Sequence, residues 1–329
     1  MALTSPAKIK VSRLIQACIV VKDAQKTIEN YWNIFGIGPW EVFEHGVPVI
    51  HDLTYHGKPG SFSHKVAFAM VGPAQLELIQ PVSGQNIYSD FLAEHGEGLH
   101  HLQFQVPNLN ETTRLMDEEG FPVLMGGRVD GGAFAYYDTV DVLKCIWEVF
   151  QPPETMEPTY RWPEKETELS PAKIKVSRLI QACIVVKDAQ KTIEDYWNIF
   201  GIGPWEVFEH GVPVIHDLTY HGKPGSFSHK VAFATVGPAQ LELIQPVSGQ
   251  NIYSDFLAEH GEGLHHLQFQ VPNLDETTRL MSEEGFSVLM GGRVDGGAFA
   301  YYDTVDVLKC IWEVFQPPET MEPTYRWPE

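Results

Sequence analysis

The sequence predicts an α+β protein: tandem strand–helix–strand units, two per copy and four per chain, building curved mixed sheets with an open concave face. Three observations lead there. The chain repeats itself at long range, each copy repeats an element order at short range, and four strands carry polar side chains on one face only.

The long-range repeat aligns Ser5 to Glu164 with Ser170 to Glu329 at an offset of 165 without gaps. The copies differ only at Asn30/Asp195, Met70/Thr235, Asn110/Asp275, Asp117/Ser282 and Pro122/Ser287, so 155 of 160 positions match. At that length each copy can build its own core. We expect domains at 5–151 and 170–316, a Pro/Glu-rich connector at 152–169 and a tail at 317–329. The connector's prolines cannot donate to a ladder and its charges prefer water, although Tyr160 and Trp162 could dock on a domain surface.

Within a copy, Arg13 to Val21 alternates as a strand, and Asp23 caps a helix whose Ile28, Tyr31, Trp32 and Phe35 follow the 3.6 period until Gly36. Strands are expected at Trp40 to Phe43, Lys65 to Val71 and Gln75 to Gln80, with a loop and short helix from Asn86 to Glu94. The order then restarts: a strand from Leu99 to Val106, a helix capped by Asn108 and stopped at Gly120, and strands at Val123 to Met125, Ala133 to Asp138 and Lys144 to Phe150. A unit of one strand, one helix and three strands leaves a sheet face uncovered, so two such units side by side form a cup. The irregular stretch from Glu44 to His64, with His45, His51, His56 and His64, reads as a loop over its rim.

Alternation places four polar residues in that cup. In Leu99 to Val106, His101, Gln103 and Gln105 lie opposite His100, Leu102 and Phe104. The same parity puts Gln16 beside Cys18 and Val20, Glu77 between Leu76 and Leu78, and Glu148 between Trp147 and Val149, each on the face away from the helices. Singly, each could be a half-exposed polar residue on a solvated face. Together they ask for a partner, because a carboxylate buried alone must raise its pKa or find a cation. A divalent cation answers for both carboxylates at once. Two carboxylates, an imidazole and an amide suit Zn, Ni, Co, Mn or Mg, with iron a weaker fit, and leave coordination positions for substrate.

The segments Gln16-Ala-Cys-Ile-Val-Val-Lys-Asp23, Gly96-Glu-Gly-Leu-His-His-Leu-Gln-Phe-Gln-Val106 and Ile146-Trp-Glu-Val-Phe-Gln151 resemble three strands of methylmalonyl-CoA epimerase. Nearly all of each copy is similar to the vicinal oxygen chelate superfamily, which also holds glyoxalase I, extradiol dioxygenases and fosfomycin or bleomycin resistance proteins. The resemblance implies paired βαβββ modules and a metal held where Gln16, Glu77, His101 and Glu148 fall, and in the second copy Gln181, Glu242, His266 and Glu313.

The departures narrow the reading. The epimerase has histidine at the place of Gln16 and glutamine at that of Glu77. The set Gln, Glu, His, Glu instead resembles glyoxalase I, but its glutathione-binding arginine and asparagine positions are Val20 and Pro81. Extradiol dioxygenases use two histidines and a carboxylate around iron, of which only His101 remains.

The implied function is a metal-dependent isomerase: epimerase, racemase or glyoxalase-type proton transfer beside a carbonyl, with Glu148 and Glu313 as catalytic bases. A lyase or hydrolase, a ring-cleaving dioxygenase, and a non-catalytic binding or resistance protein stay open. Gln103, Gln105, Trp40 and Tyr137, with Gln268, Gln270, Trp205 and Tyr302, are expected to contact substrate. With Phe43, Tyr136 and Phe150 they would make an aromatic cup suited to a neutral ring-bearing ketone. Lys65 and Arg128 are the nearest candidates for an anionic group.

The net charge of −20 argues against nucleic acid and anionic membranes as partners. No apolar run is long enough to span a bilayer and the N-terminus lacks a signal-peptide core, so a soluble cytoplasmic protein acting on a small molecule is expected. Cys18, Cys145, Cys183 and Cys310 read as buried thiols. The fusion would replace a homodimer, and the sites could form within a copy or between copies, with Gln16 and Glu77 then joining His266 and Glu313.

Overall fold

The computed structural model describes residues 4–129, 131–165 and 168–328. The first copy runs β1 (Arg13–Val20), α1 (Ala24–Phe35), β2 (Trp40–His45), β3 (Ile50–Tyr55), β4 (Lys58–Pro59), β5 (Ser63–Val71), β6 (Ala74–Ser83), α2 (Ile87–Glu94), β7 (Gly98–Gln105), α3 (Leu109–Glu118), β8 (Val123–Val129), β9 (Gly132–Tyr137), α4 (Val140–Leu143), β10 (Ile146–Gln151) and β11 (Tyr160–Trp162). The second copy repeats this series from β12 (Arg178–Val185) to β22 (Tyr325–Trp327). No described helix is long and apolar enough to cross a membrane.

Local chemistry sets the helix ends. The Asp23 carboxylate accepts from the Lys26 amide at the start of α1, and Gly36, at φ 66°, closes it by donating to the Tyr31 and Trp32 carbonyls. Asn108 caps α3 through the Glu111 amide.

Each copy forms its own mixed sheet of eleven strands, ordered β11-β2-β5-β6-β1-β7-β10-β9-β8-β3-β4 in the first. β1 lies parallel to β6 and antiparallel to β7, which lies parallel to β10. Four strands from two modules thus sit side by side at the centre. All the candidate ligands of one copy lie in one sheet, so the arrangement pairing Gln16 and Glu77 with His266 and Glu313 does not occur.

Two stretches differ from expectation. The irregular segment after Phe43 is not a bare loop: β3 pairs with β8 across the far edge, a long-range contact that local composition conceals. Within the expected connector, Tyr160 to Trp162 joins β2 as the opposite edge strand, and the Tyr160 hydroxyl donates to Gln25.

The helix-covered faces of the two sheets share one core. Phe35 packs on Trp312 at 3.9 Å between ring centroids, and Trp147 packs on Phe200 at 3.9 Å. The Tyr31 hydroxyl donates to the Leu308 carbonyl and Tyr196 to Leu143, each at 2.9 Å. Burying one such aromatic removes roughly 150–250 Å² from water, on the order of 4–6 kcal/mol at ~25 cal/mol/Å². Two half-buried ion pairs, Lys309 to Glu97 and Lys144 to Glu262, clasp the seam at 3.0 Å each.

Candidate functional site

The open face of the first sheet carries two rows of side chains fixed by register. Glu77, Cys18 and His101 neighbour one another across β6, β1 and β7. Gln16, Gln103 and Glu148 do so across β1, β7 and β10. Period-2 alternation then sends Leu76, Leu78, Leu102, Trp147 and Val149 into the helix-side core and these polar groups into the cup.

The four expected ligands converge and are buried. His101 Nε2 lies 3.1 Å from Glu77 Oε2 and 3.2 Å from Glu148 Oε2. The Gln16 amide nitrogen is 3.4 Å from Glu148 Oε2. His266, Glu242, Glu313 and Gln181 repeat this cluster in the second copy, with both carboxylates 3.2 Å from the imidazole. One N–H cannot serve two carboxylates: Glu148 takes the hydrogen bond, and Glu77 Oε2, like Glu242 Oε2, is buried without one.

Around this cluster the supports are specific. Tyr136 donates to Glu148 Oε1 at 2.7 Å, and Tyr88 of α2 donates to Tyr136 at 2.7 Å. A bulge in β7 skips His100 in the pairing with β1 and brings its Nδ1 to 2.8 Å from His101 Nδ1. That bulge corrects the strict alternation, which sent His100 to the helix side; its ring packs edge-on against Tyr88 and Phe91.

Burial opposes charge on His101, yet the Glu148 hydrogen bond and the charges of Glu148 and Glu77 prevail and raise it to about 9. Burial likewise lifts the Glu148 carboxyl above its ordinary range, with the Glu77 charge acting the same way against His101 and Tyr136. Burial and the nearby Glu77 push the Cys18 thiol well up, so it stays protonated. All four cysteines are buried and free, as expected.

Above the cluster opens a cleft of about 440 Å³, mouth included, in each copy. Gln103 lines the first cleft and its counterpart Gln268 is buried, but Gln105 and Gln270 are exposed at their strand ends. Trp40 and Tyr137 do not reach the cup. Trp40 lies in the helix-side core with its indole N–H on the Ile37 carbonyl, and Tyr137 meets Thr113 of α3. Trp205 and Tyr302 repeat this. The physical reason is parity: Phe43 faces the cup, so Val42 and Trp40 face away, and Tyr136 pairs directly with Glu148, which turns Tyr137 outward. Lys65 is tied to Glu44 and Arg128 is exposed beside Asp52, so neither lines the cleft.

Two residues expected in a rim loop do line it. β2 extends to His45 and β5 starts at Ser63, which makes His45 and His64 cross-strand partners on the cup face. The signal was present as unbroken alternation in Phe43-Glu-His45 and His64-Lys-Val-Ala-Phe68. His51 and His56 are exposed.

The sequence profile of the glyoxalase/bleomycin resistance protein/dioxygenase superfamily matches residues 15–137 and again residues 180–302. The chain belongs to this superfamily. Its vicinal oxygen chelate fold is also that of solved structures far apart in sequence. A mutant of 4-hydroxymandelate synthase from Streptomyces coelicolor superposes with a TM-score of 0.59 at 15% identity, covering 95% of each chain. An Mn(II)-bound glyoxalase from Novosphingobium aromaticivorans gives 0.51 at 11% identity, covering 98% of this chain and 86% of that one. Both likenesses are of fold alone. The uncharacterized protein YqjC of Bacillus subtilis (strain 168) is 37% identical over 54 residues, 16% of this chain and 39% of that protein, so this superfamily member spans about two-fifths of its relative's length.

Proposed function

We propose that each cup holds one divalent cation, on Gln16, Glu77, His101 and Glu148 in the first copy and on Gln181, Glu242, His266 and Glu313 in the second, and moves a proton at the carbon beside a substrate carbonyl. The observation that carries this is the Glu77 Oε2 atom: buried, ionisable, and without a hydrogen bond although it sits 3.1 Å from His101 Nε2. Two carboxylates with one imidazolium keep a net negative charge in a buried place; two carboxylates, a neutral imidazole and a divalent cation do not. The oxygen and nitrogen donors suit Zn, Ni, Co, Mn or Mg.

When bound, such a cation draws electron density from the carbonyl and acidifies the neighbouring C–H. The protein supplies the rest. His101 can keep its Nδ1 proton on His100 and free Nε2 as a donor, the usual outer support of a ligating histidine. Glu148 accepts and returns the proton, its affinity for it raised by burial, while Tyr136 fixes its orientation through Oε1. The aromatic walls exclude water. Epimerisation, racemisation and a glyoxalase-type shift all follow from this one step, and the fusion stands in for a homodimer through the shared core.

A second reading has support in the same cleft: a dioxygenase holding iron with a second histidine, for which His45 or His64 is the nearest supply. Metal analysis of protein purified without added metal separates the two. One equivalent per cup of Zn, Ni, Co or Mn, lost in the Glu148→Gln, Glu313→Gln variant, with anaerobic deuterium exchange at the α-carbon of an aryl ketone, is the expected result. Iron with oxygen uptake would favour ring cleavage. No metal even after reconstitution overturns both and leaves a binding protein.

A further inference from the structure

The charged groups of the cleft are confined to its floor, where Glu77 and Glu148 meet the His101 imidazole. Among the described residues no lysine or arginine lines either cleft. Away from the floor, the wall is largely apolar, built from residues such as Val66, Phe68, Phe134 and Phe150, and its polar members are the mutually bonded Tyr88 and Tyr136 hydroxyls and the His45 and His64 pair. Their rings meet edge-on at 5.3 Å.

His64 is the unusual member. It is only 6% exposed, lines the cleft, and its Nδ1 is buried with no hydrogen-bond partner among the described residues. Its cross-strand neighbour on β6 is Pro81, which has no N–H to offer. A buried ring nitrogen so placed is destabilising until something pairs with it. His229 repeats the arrangement, 7% exposed, with Nδ1 likewise unpaired and His210 as partner. Burial lowers His64 to about 3, with the His45 ring acting the same way, so the pair is neutral and attracts no anion.

The spacing sets the size of what fits. His64 lies four residues along β5 from Phe68, the cross-strand partner of Glu77, which is roughly 13 Å at the rise of a strand. A flat ring with a carbonyl at one end and a hydroxyl at the other spans about half of that distance, and a polar contact at each end covers most of the rest.

We propose that His64 with His45, and His229 with His210, form the specificity wall of the cup, selecting an uncharged aryl carbonyl compound that carries a second, neutral hydrogen-bonding group such as a hydroxyl far from its carbonyl. This deepens the reading of the cup as a substrate site and rests on it. It excludes carboxylate, phosphate and thioester-nucleotide substrates, because nothing in the wall neutralises an anion.

The test is calorimetric binding of three probes to the metal-loaded protein: acetophenone, 4-hydroxyacetophenone and 4-acetylbenzoate. The hydroxylated ketone is expected to bind about tenfold more tightly than acetophenone, the worth of one paired buried group, and the benzoate at least about tenfold more weakly. His64→Phe with His229→Phe should bring the hydroxylated ketone down to the acetophenone affinity while the metal content stays. Equal affinities, undetectable binding of all three, a tighter benzoate, or a hydroxyl preference surviving in the variant would overturn the proposal. The parent's ranking decides even if the variant fails to fold. Metal content is read separately, so loss of the metal reading and loss of this one remain distinct results.

Discussion

Each sheet presents two faces cut from the same strands, and they follow opposite rules. On the helix-covered side Ala17, Leu76, Leu102 and Trp147 merge with their counterparts from the other copy into one uncharged core, in which the Tyr31 hydroxyl is paired and the Trp147 and Trp312 indole N–H groups are not. On the open side Gln16, Glu77, His101 and Glu148 crowd three titratable groups into a buried space and leave one oxygen unpaired. The difference teaches where stability and chemistry reside. The charged face is tolerable because the other face of the same strands is packed against the second copy.

The comparison breaks most visibly if the packed face is cut. Trp312 is fully buried, stacked on Phe269 of its own sheet at 3.9 Å and packed at a tilt against Phe35 of the other copy, also at 3.9 Å. Trp312→Ala should cost about 3–5 kcal/mol in denaturant titration, while folded protein keeps its metal content. A loss under about 1 kcal/mol would mean that the shared core does not carry the fold.

Acid should attack the open face. His64 and His229, held by burial to about 3, stay neutral in the folded chain, whereas in the unfolded chain each takes a proton near the ordinary 6.5. Between those values the unfolded state binds more protons, so stability falls as pH falls, by up to ~1.4 kcal/mol per pH unit for each histidine. Above 6.5 the pair adds no slope. Stability measured from pH 6.5 to 5 should therefore flatten in the His64→Phe, His229→Phe variant, and an unchanged slope would assign the acid sensitivity elsewhere.

A gentler cut sharpens the contrast. Tyr136→Phe removes the donor from Glu148 Oε1, leaving a buried acceptor unpaired at about 1–3 kcal/mol. Because that hydrogen bond lowers the proton affinity of Glu148, its loss should shift metal release in a chelator titration to higher pH. Release at the parent's pH would remove Tyr136 from the site. Smallest is the seam: Asn30→Asp deletes the amide bond to the Val307 carbonyl at 3.1 Å, worth about 1 kcal/mol, and Asp195→Asn should return a similar amount. Thermal unfolding of both single variants checks the opposite signs.

Much of this was legible in sequence wherever parity alone decided. Gln16, Glu77, His101 and Glu148 each sit between apolar neighbours, and a strand of any register must turn them to one side. Trp40 was legible too, since Phe43 fixes its parity. Tyr137 was not: choosing between adjacent tyrosines requires knowing that β9 sets Tyr136 opposite Glu148, a pairing of distant segments. The same holds for β3, which exists because β8 is beside it, and for His100, turned by a bulge that no periodicity announces. His45 and His64 were lost by ending one strand two residues early and starting another two residues late.

The five differences between copies avoid both cups: four are at exposed positions, and the fifth is Asn30 against Asp195. Asn30 reaches across to the Val307 carbonyl, while Asp195 turns back to Lys191 on its own helix, 2.6 Å away. Two separate identical subunits could never differ in this way, since any change at one side of their axis appears at the other. A covalent pair is released from that rule. Each half can acquire its own mutations, so one cup is free to drift toward a new ligand while its twin keeps the ancestral trade.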